Sequence, residues 1–104
     1  MTTYQLIRSA IEKKQQITAM YNGHYRELCP HAIGTKNGKE QTICFQFGGS
    51  GSKGPITHDS TDNWRCIEIA KLRDVAVRDG EWHTAANHSI AQTCIDTIDL
   101  EVKR

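Results

Sequence analysis

The feature that most constrains this chain is a change of hydrophobic period near residue 15. From Thr2 to about Lys14 the apolar residues recur at helical spacing: Tyr4, Ile7 and Ile11 form one stripe, with Leu6 and Ala10 beside it. Thr2 followed by Gln5 predicts a capping box, and Lys13 and Lys14 suit the negative end of a helix dipole. From Ile17 the period becomes two. Ile17, Ala19 and Tyr21 alternate with Thr18, Met20 and Asn22, as a half-buried strand requires.

Short alternating runs continue to the end of the chain. Asn22-Gly23 has the residues a two-residue hairpin needs at its positive-φ positions, so His24 to Cys29 reads as the returning strand. Pro30, without an N–H, is expected to stop that ladder. A second turn at Lys36-Asn37-Gly38-Lys39 leads into Glu40 to Phe47, a central strand through Ile43, Phe45 and Phe47. Residues 48–63, opening on a Gly/Ser-rich run, read as a flexible loop of about 16 residues, a length that in a small domain is functional or disordered. Trp64 to Ile69 predicts a strand with Trp64, Cys66 and Glu68 on one face and Arg65, Ile67 and Ile69 on the other. Val75 to Arg78 is a short strand, Asp79-Gly80 a turn, residues 81–93 have no clean period, and Ile95 to Val102 alternates again. The expectation is one α+β domain over 1–104: a helix at about 2–14, then a strongly bent antiparallel sheet or small SH3/Sm-like barrel over about 16–104.

At 104 residues there is room for one small core. Lys plus Arg (13) nearly balances Asp plus Glu (12), so any grip on a nucleic-acid backbone needs a local patch. Residues 1–52 carry six Lys/Arg against three acids, and Arg26, Arg65, Lys71 and Arg73 are interleaved with Tyr21, Tyr25 and Trp64, residue types that grip phosphates and stack on bases. Solvated surface charge is the plain alternative. The start Met1-Thr2-Thr3-Tyr4-Gln5 has no secretory pattern, and no apolar run approaches the roughly 20 residues of a membrane span. A cytoplasmic, reduced setting without membrane contact is therefore expected.

Cys29, Cys44, Cys66 and Cys94 stand singly in four apolar segments and read as free core thiols. A zinc site or a catalytic thiol built on Cys29 and His31 remains an alternative, although no paired-cysteine spacing supports a metal. Gly49-x-Gly51-x-x-Gly54 matches a dinucleotide fingerprint in form, but Pro55-Ile56-Thr57-His58 cannot open the required helix. No nucleophile, base and orienting group share a local signature, so the expectation is a non-enzyme without a cofactor.

The order of elements resembles the WYL domain, a bacterial-type Sm-like or SH3-like β-barrel module of transcriptional regulators. The matching residues are Ala10-Ile11 closing the helix, Ile17 through Tyr21, the Asn22-Gly23 turn, Arg26-Glu27-Leu28-Cys29-Pro30-His31, the Gly38 turn and Trp64-Arg65-Cys66-Ile67-Glu68-Ile69-Ala70-Lys71-Leu72. Where the family carries Trp-Tyr-Leu after the Gly38 turn, this chain has Glu40-Gln41-Thr42-Ile43, leaving Phe45, Phe47 and Trp64 as its aromatics there. The resemblance implies a stand-alone sensor or regulatory module for an anionic ligand, a nucleotide or a single-stranded nucleic acid. It carries over Tyr21, Arg26, His31 and Arg65 as ligand contacts, with Lys71 and Arg73 as further choices; the residues themselves add Trp64 as a stacking ring. A protein-interaction or homo-oligomerisation module acting through exposed strand edges is the alternative.

Overall fold

The computed structural model describes residues 2–51, 54–55, 64–83 and 94–102. Helix α1 (Thr3–Lys13) opens on the expected capping box: the Gln5 N–H donates to Thr2 Oγ1 (3.1 Å) and the Thr2 N–H to Gln5 Oε1 (2.9 Å). It ends at Lys14, whose left-handed backbone (φ 51°) lets the cap N–H reach the last carbonyls. Ile7, Ala10 and Ile11 are its buried stripe.

The strands are β1 (Gln16–Tyr21), β2 (His24–Lys36), β3 (Lys39–Gly51), β4 (Gly54–Pro55), β5 (Trp64–Glu68), β6 (Arg73–Arg78) and β7 (Thr97–Glu101), with a 3-10 turn at Ile69–Lys71 between β5 and β6. Both two-residue hairpins form as expected, with Asn22 and Gly23 at φ 52° and 79° and Asn37 and Gly38 at φ 52° and 80°. All pairings are antiparallel. Strand β2 has β3 along one edge, while β1 and then β7 share the other; β5 and β4 extend the sheet beyond β3, and β6 extends it beyond β1. Among the described residues β5 and β6 do not pair, so the sheet is open.

Pro30 does not stop the strand. It lies opposite Cys44, just before a bulge that makes His31 an extra residue, so the missing N–H falls where the ladder is already interrupted. The His31 carbonyl instead accepts from the Val102 N–H (2.8 Å), and the Ala32 carbonyl accepts from Thr42 Oγ1 (2.7 Å). Strand β3 also runs past the expected loop boundary, through Gly51, and Gly54–Pro55 pairs back on it. Residues 52–53 and 56–63 of that loop, and 84–93 of the aperiodic stretch, lie outside the described residues. Asp79-Gly80 makes no hairpin: the chain crosses the sheet there, with Gly80 against the Gln16 side chain.

The sheet is covered on both faces. On the first, α1 and the sheet bury Ile7, Ala10, Ile11, Ile17, Ala19, Leu28, Ile33, Cys44, Ile67, Ile69 and Leu72. On the second, Ala32, Ile43, Phe45, Trp64, Cys94 and Ile95 pack together with Phe47. Asp99, the extra residue of a bulge between β2 and β7, ties α1 to the sheet end by accepting from the Tyr4 hydroxyl (2.7 Å) and Arg8 Nε (3.1 Å). At Gly34 a side chain would collide with the Thr97 carbonyl oxygen, which is why β7 can approach β2 there.

The reading of all four cysteines as free thiols is corrected. Cys66 and Cys94 form a disulfide (Cα–Cα 5.8 Å), and only Cys29 and Cys44 are free. Cys66 lies opposite Ile43 in the β3–β5 ladder, and Cys94 packs in the same cluster as Ile43, so tertiary packing joins two cysteines that are 28 positions apart. Closing that span restricts the unfolded chain, so the double variant Cys66→Ser/Cys94→Ser should lose roughly 3–4 kcal/mol of stability in urea titration. The Tyr4 phenol is pushed up to about 12, first by burial and then by its bond to Asp99. A raised phenol pKa means the contribution is complete below the ordinary value near 10 and is lost as pH rises toward about 12. Ultraviolet titration should therefore show one tyrosine ionising near pH 12 that Tyr4→Phe removes.

Candidate anion-binding site

Three of the residues expected to touch a ligand converge on the first face of the sheet. Tyr21 ends β1, Arg26 lies next to the start of β2, and Arg65 is the second residue of β5. Alternation puts Arg26 on the side of buried Leu28, and Arg65 on the side of buried Ile67. A fourth residue completes the group: Gln46 of β3, fully buried, stands opposite Leu28.

The geometry centres on Arg26, which is only 5% exposed. Its Nη1 donates to Gln46 Oε1 (3.3 Å), and its guanidinium carbon lies 5.1 Å from the centroid of the Tyr21 ring. Gln46 is oriented for this by its own amide, which donates to the Gly48 carbonyl (3.0 Å). The Tyr21 hydroxyl accepts from the Glu68 N–H (3.2 Å), which fixes the ring. Arg26 Nε is buried and has no hydrogen-bond partner, and among the described residues no carboxylate pairs with Arg26. Its pKa is lowered, first by burial and then by the charge of Arg65. A buried guanidinium stacked on a ring, with an unused donor and a second guanidinium near it, has the electrostatics of an anion receptor.

The other expected contacts are elsewhere. His31 is on the second face, 2% exposed, its Nδ1 donating to the Cys29 carbonyl (2.7 Å) and its ring 4.7 Å from those of Trp64 and Trp82. Trp64 is buried on that same face against Phe45 (5.2 Å) and is not a stacking ring for Arg26. Lys71 is exposed and pairs with Glu68 (3.4 Å). Arg73 donates to the Ala70 and Leu72 carbonyls (3.1 and 3.0 Å) and stands at the 3-10 turn. Gln46 was missed; its signal is a long polar side chain between Phe45 and Phe47 in a central strand, where one face should otherwise be apolar.

The described residues do not support a Cys29–His31 catalytic pair. His31 Nδ1 addresses the Cys29 carbonyl, while Cys29 Sγ accepts from the His83 N–H (3.3 Å). Burial pushes the Cys29 thiol up to about 11 against the lowering effects of that N–H and of Arg78, and pushes the fully buried Cys44 thiol up to about 12. Among the described residues no group of three or more His, Cys, Asp and Glu is placed to hold a metal ion, and no helix is long and apolar enough to cross a membrane. Comparison with protein-family models, with curated proteins and with solved structures finds no match to this chain. Both free thiols should stay protonated at pH 8, so iodoacetamide should label neither Cys29 nor Cys44 in the native protein and both after denaturation, as read by peptide mass.

Proposed function

We propose that this chain is a non-enzymatic binding module for a phosphate-bearing ligand, a nucleotide or a single-stranded nucleic acid, held on the first face of the sheet by Tyr21, Arg26, Gln46 and Arg65. The observation that carries this reading is the buried Arg26 guanidinium with an unpartnered Nε. Leaving a buried charge short of partners is costly, and an anion seated between Arg26 and Arg65 would offset that cost through charge-assisted hydrogen bonds. Tyr21 already stacks on Arg26, so the ligand's phosphate, rather than its base, is the group this arrangement selects. We also read the sheet as an Sm/SH3-like arrangement of the WYL type. Support comes from the long bulged strands β2 and β3 and from the 3-10 turn that carries the chain from β5 to β6.

The near balance of charge implies modest affinity that falls with salt. Fluorescence anisotropy with a labelled adenine nucleotide and a labelled oligothymidine, at low and moderate salt, is the test. Arg26→Gln and Arg65→Gln should each weaken binding about 10-fold or more, the worth of a charged hydrogen bond, while Lys71→Gln leaves it unchanged. Binding unaffected by both arginine variants, or no binding of either probe at low salt, overturns the assignment.

A further inference from the structure

A concavity lies on the other face of β5 from Arg65. The β2–β3 hairpin contributes Lys36, Asn37 and Lys39, β3 contributes Gln41, and β5 contributes Cys66 and Glu68; with Cys94 they line a cleft of about 490 Å³. The Cys66–Cys94 disulfide is thus part of its wall. The two halves of that disulfide differ in access: Cys66 is exposed, whereas Cys94 is 4% exposed and packed against the second-face core.

We propose that the Cys66–Cys94 disulfide is a thiol-exchange site, and that the cleft admits a small anionic thiol to it. Exchange requires an incoming thiolate to reach one sulfur while the other leaves. The access difference assigns these roles. The thiolate forms a bond to Cys66 Sγ, the Cys66–Cys94 bond breaks, and Cys94 Sγ leaves with the electron pair and takes a proton. A second thiolate then attacks the external sulfur of the mixed disulfide, releasing Cys66 as a thiol and a small-molecule disulfide, so two thiols supply the two electrons. Lys39, with a side chain 69% exposed, stands at the mouth of the cleft with Lys36; the described carboxylates beside them are Glu68, which Lys71 shares, and Asp96, whose Oδ2 accepts from the Asn37 N–H (3.3 Å). Because Lys71 shares Glu68, the exposed Lys39 is placed to pair with the carboxylate of an incoming thiol. Cys29 and Cys44 are buried and hold their protons, so the exchange stays with the Cys66–Cys94 pair. Because Cys94 and Ile95 pack with Ile43, Phe45 and Trp64, the reaction would be felt by the core of the second face.

The test uses the intact native protein purified without reductant, treated at pH 8 with 3-mercaptopropionate or with neutral 2-mercaptoethanol, quenched with an alkylating agent and mapped by peptide mass. The expected result is reduction without denaturant, passing through a mixed disulfide on the Cys66 peptide; Cys94→Ser, in which Cys66 is already a thiol, should take up and hold the same adduct when given the disulfide of 3-mercaptopropionate instead. Lys39→Gln should slow 3-mercaptopropionate several-fold and leave 2-mercaptoethanol unchanged. A disulfide that resists both thiols until the protein is unfolded overturns the exchange site, and so does an adduct found on Cys94. Equal slowing, or no slowing, of the two thiols by the lysine variant overturns the anionic preference. The wild-type kinetics stand by themselves if Cys94→Ser fails to fold.

Discussion

The sheet depends on an antiparallel ladder that is interrupted at set places. Strand β2 hydrogen-bonds to β1, β3 and β7, and at each of the bulges along it one residue is extra: His31 within β2 itself, Phe47 on β3 and Asp99 on β7. A bulge bends its strand and re-aims the side chains after it. Leu28 and Ile33 are an odd number of positions apart, yet both reach the first-face core because the His31 bulge resets the alternation between them. The extra residues become contacts rather than defects. His31 lies between two tryptophans, Phe47 stacks on His83 at 4.3 Å, and Asp99 holds the helix.

Polar groups are treated differently at the two ends of the first face. Where α1 meets β7, Asp99 is exposed, its pKa lowered by bonds from Tyr4 and Arg8, and Arg8 also pairs with Glu12 (2.6 Å); each charge there has its opposite. At the other end Arg26 is buried with a neutral amide and an aromatic ring for company and a like charge nearby. The first arrangement docks a helix. The second leaves the buried Arg26 guanidinium with no described carboxylate beside it, and this contrast, within one face of one small sheet, supports the proposed role of Arg26 as a ligand contact.

The two cysteine pairs show a similar division. Cys29 and Cys44 are in the interior of β2 and β3, where burial keeps them as small apolar side chains with high pKa values. Cys66 and Cys94 meet where edge strand β5 faces the residues leading into β7, beside a cleft with lysines at its mouth. Identical side chains acquire different chemistry from their place in the sheet.

Much of this was legible in the sequence because it is local. The Thr2/Gln5 capping box, the helical stripe, the Asn-Gly hairpins and the alternating faces of β5 depend on residues a few positions apart, and their dihedral and hydrogen-bond requirements are met within the segment itself. Of the site, Tyr21, Arg26 and Arg65 could be picked out by residue type. Their separation from His31 and Trp64 could not, since the face a residue takes depends on bulge positions, and a bulge is set by how two strands fit across space. The same holds for Pro30 inside a strand, for Gln46 beneath Arg26 and for the Cys66–Cys94 bond. Sequence alone determined the elements, through propensity, capping and period. Tertiary structure decided which side chains meet, because pairing register and burial are properties of segments in contact and are not written in any one of them.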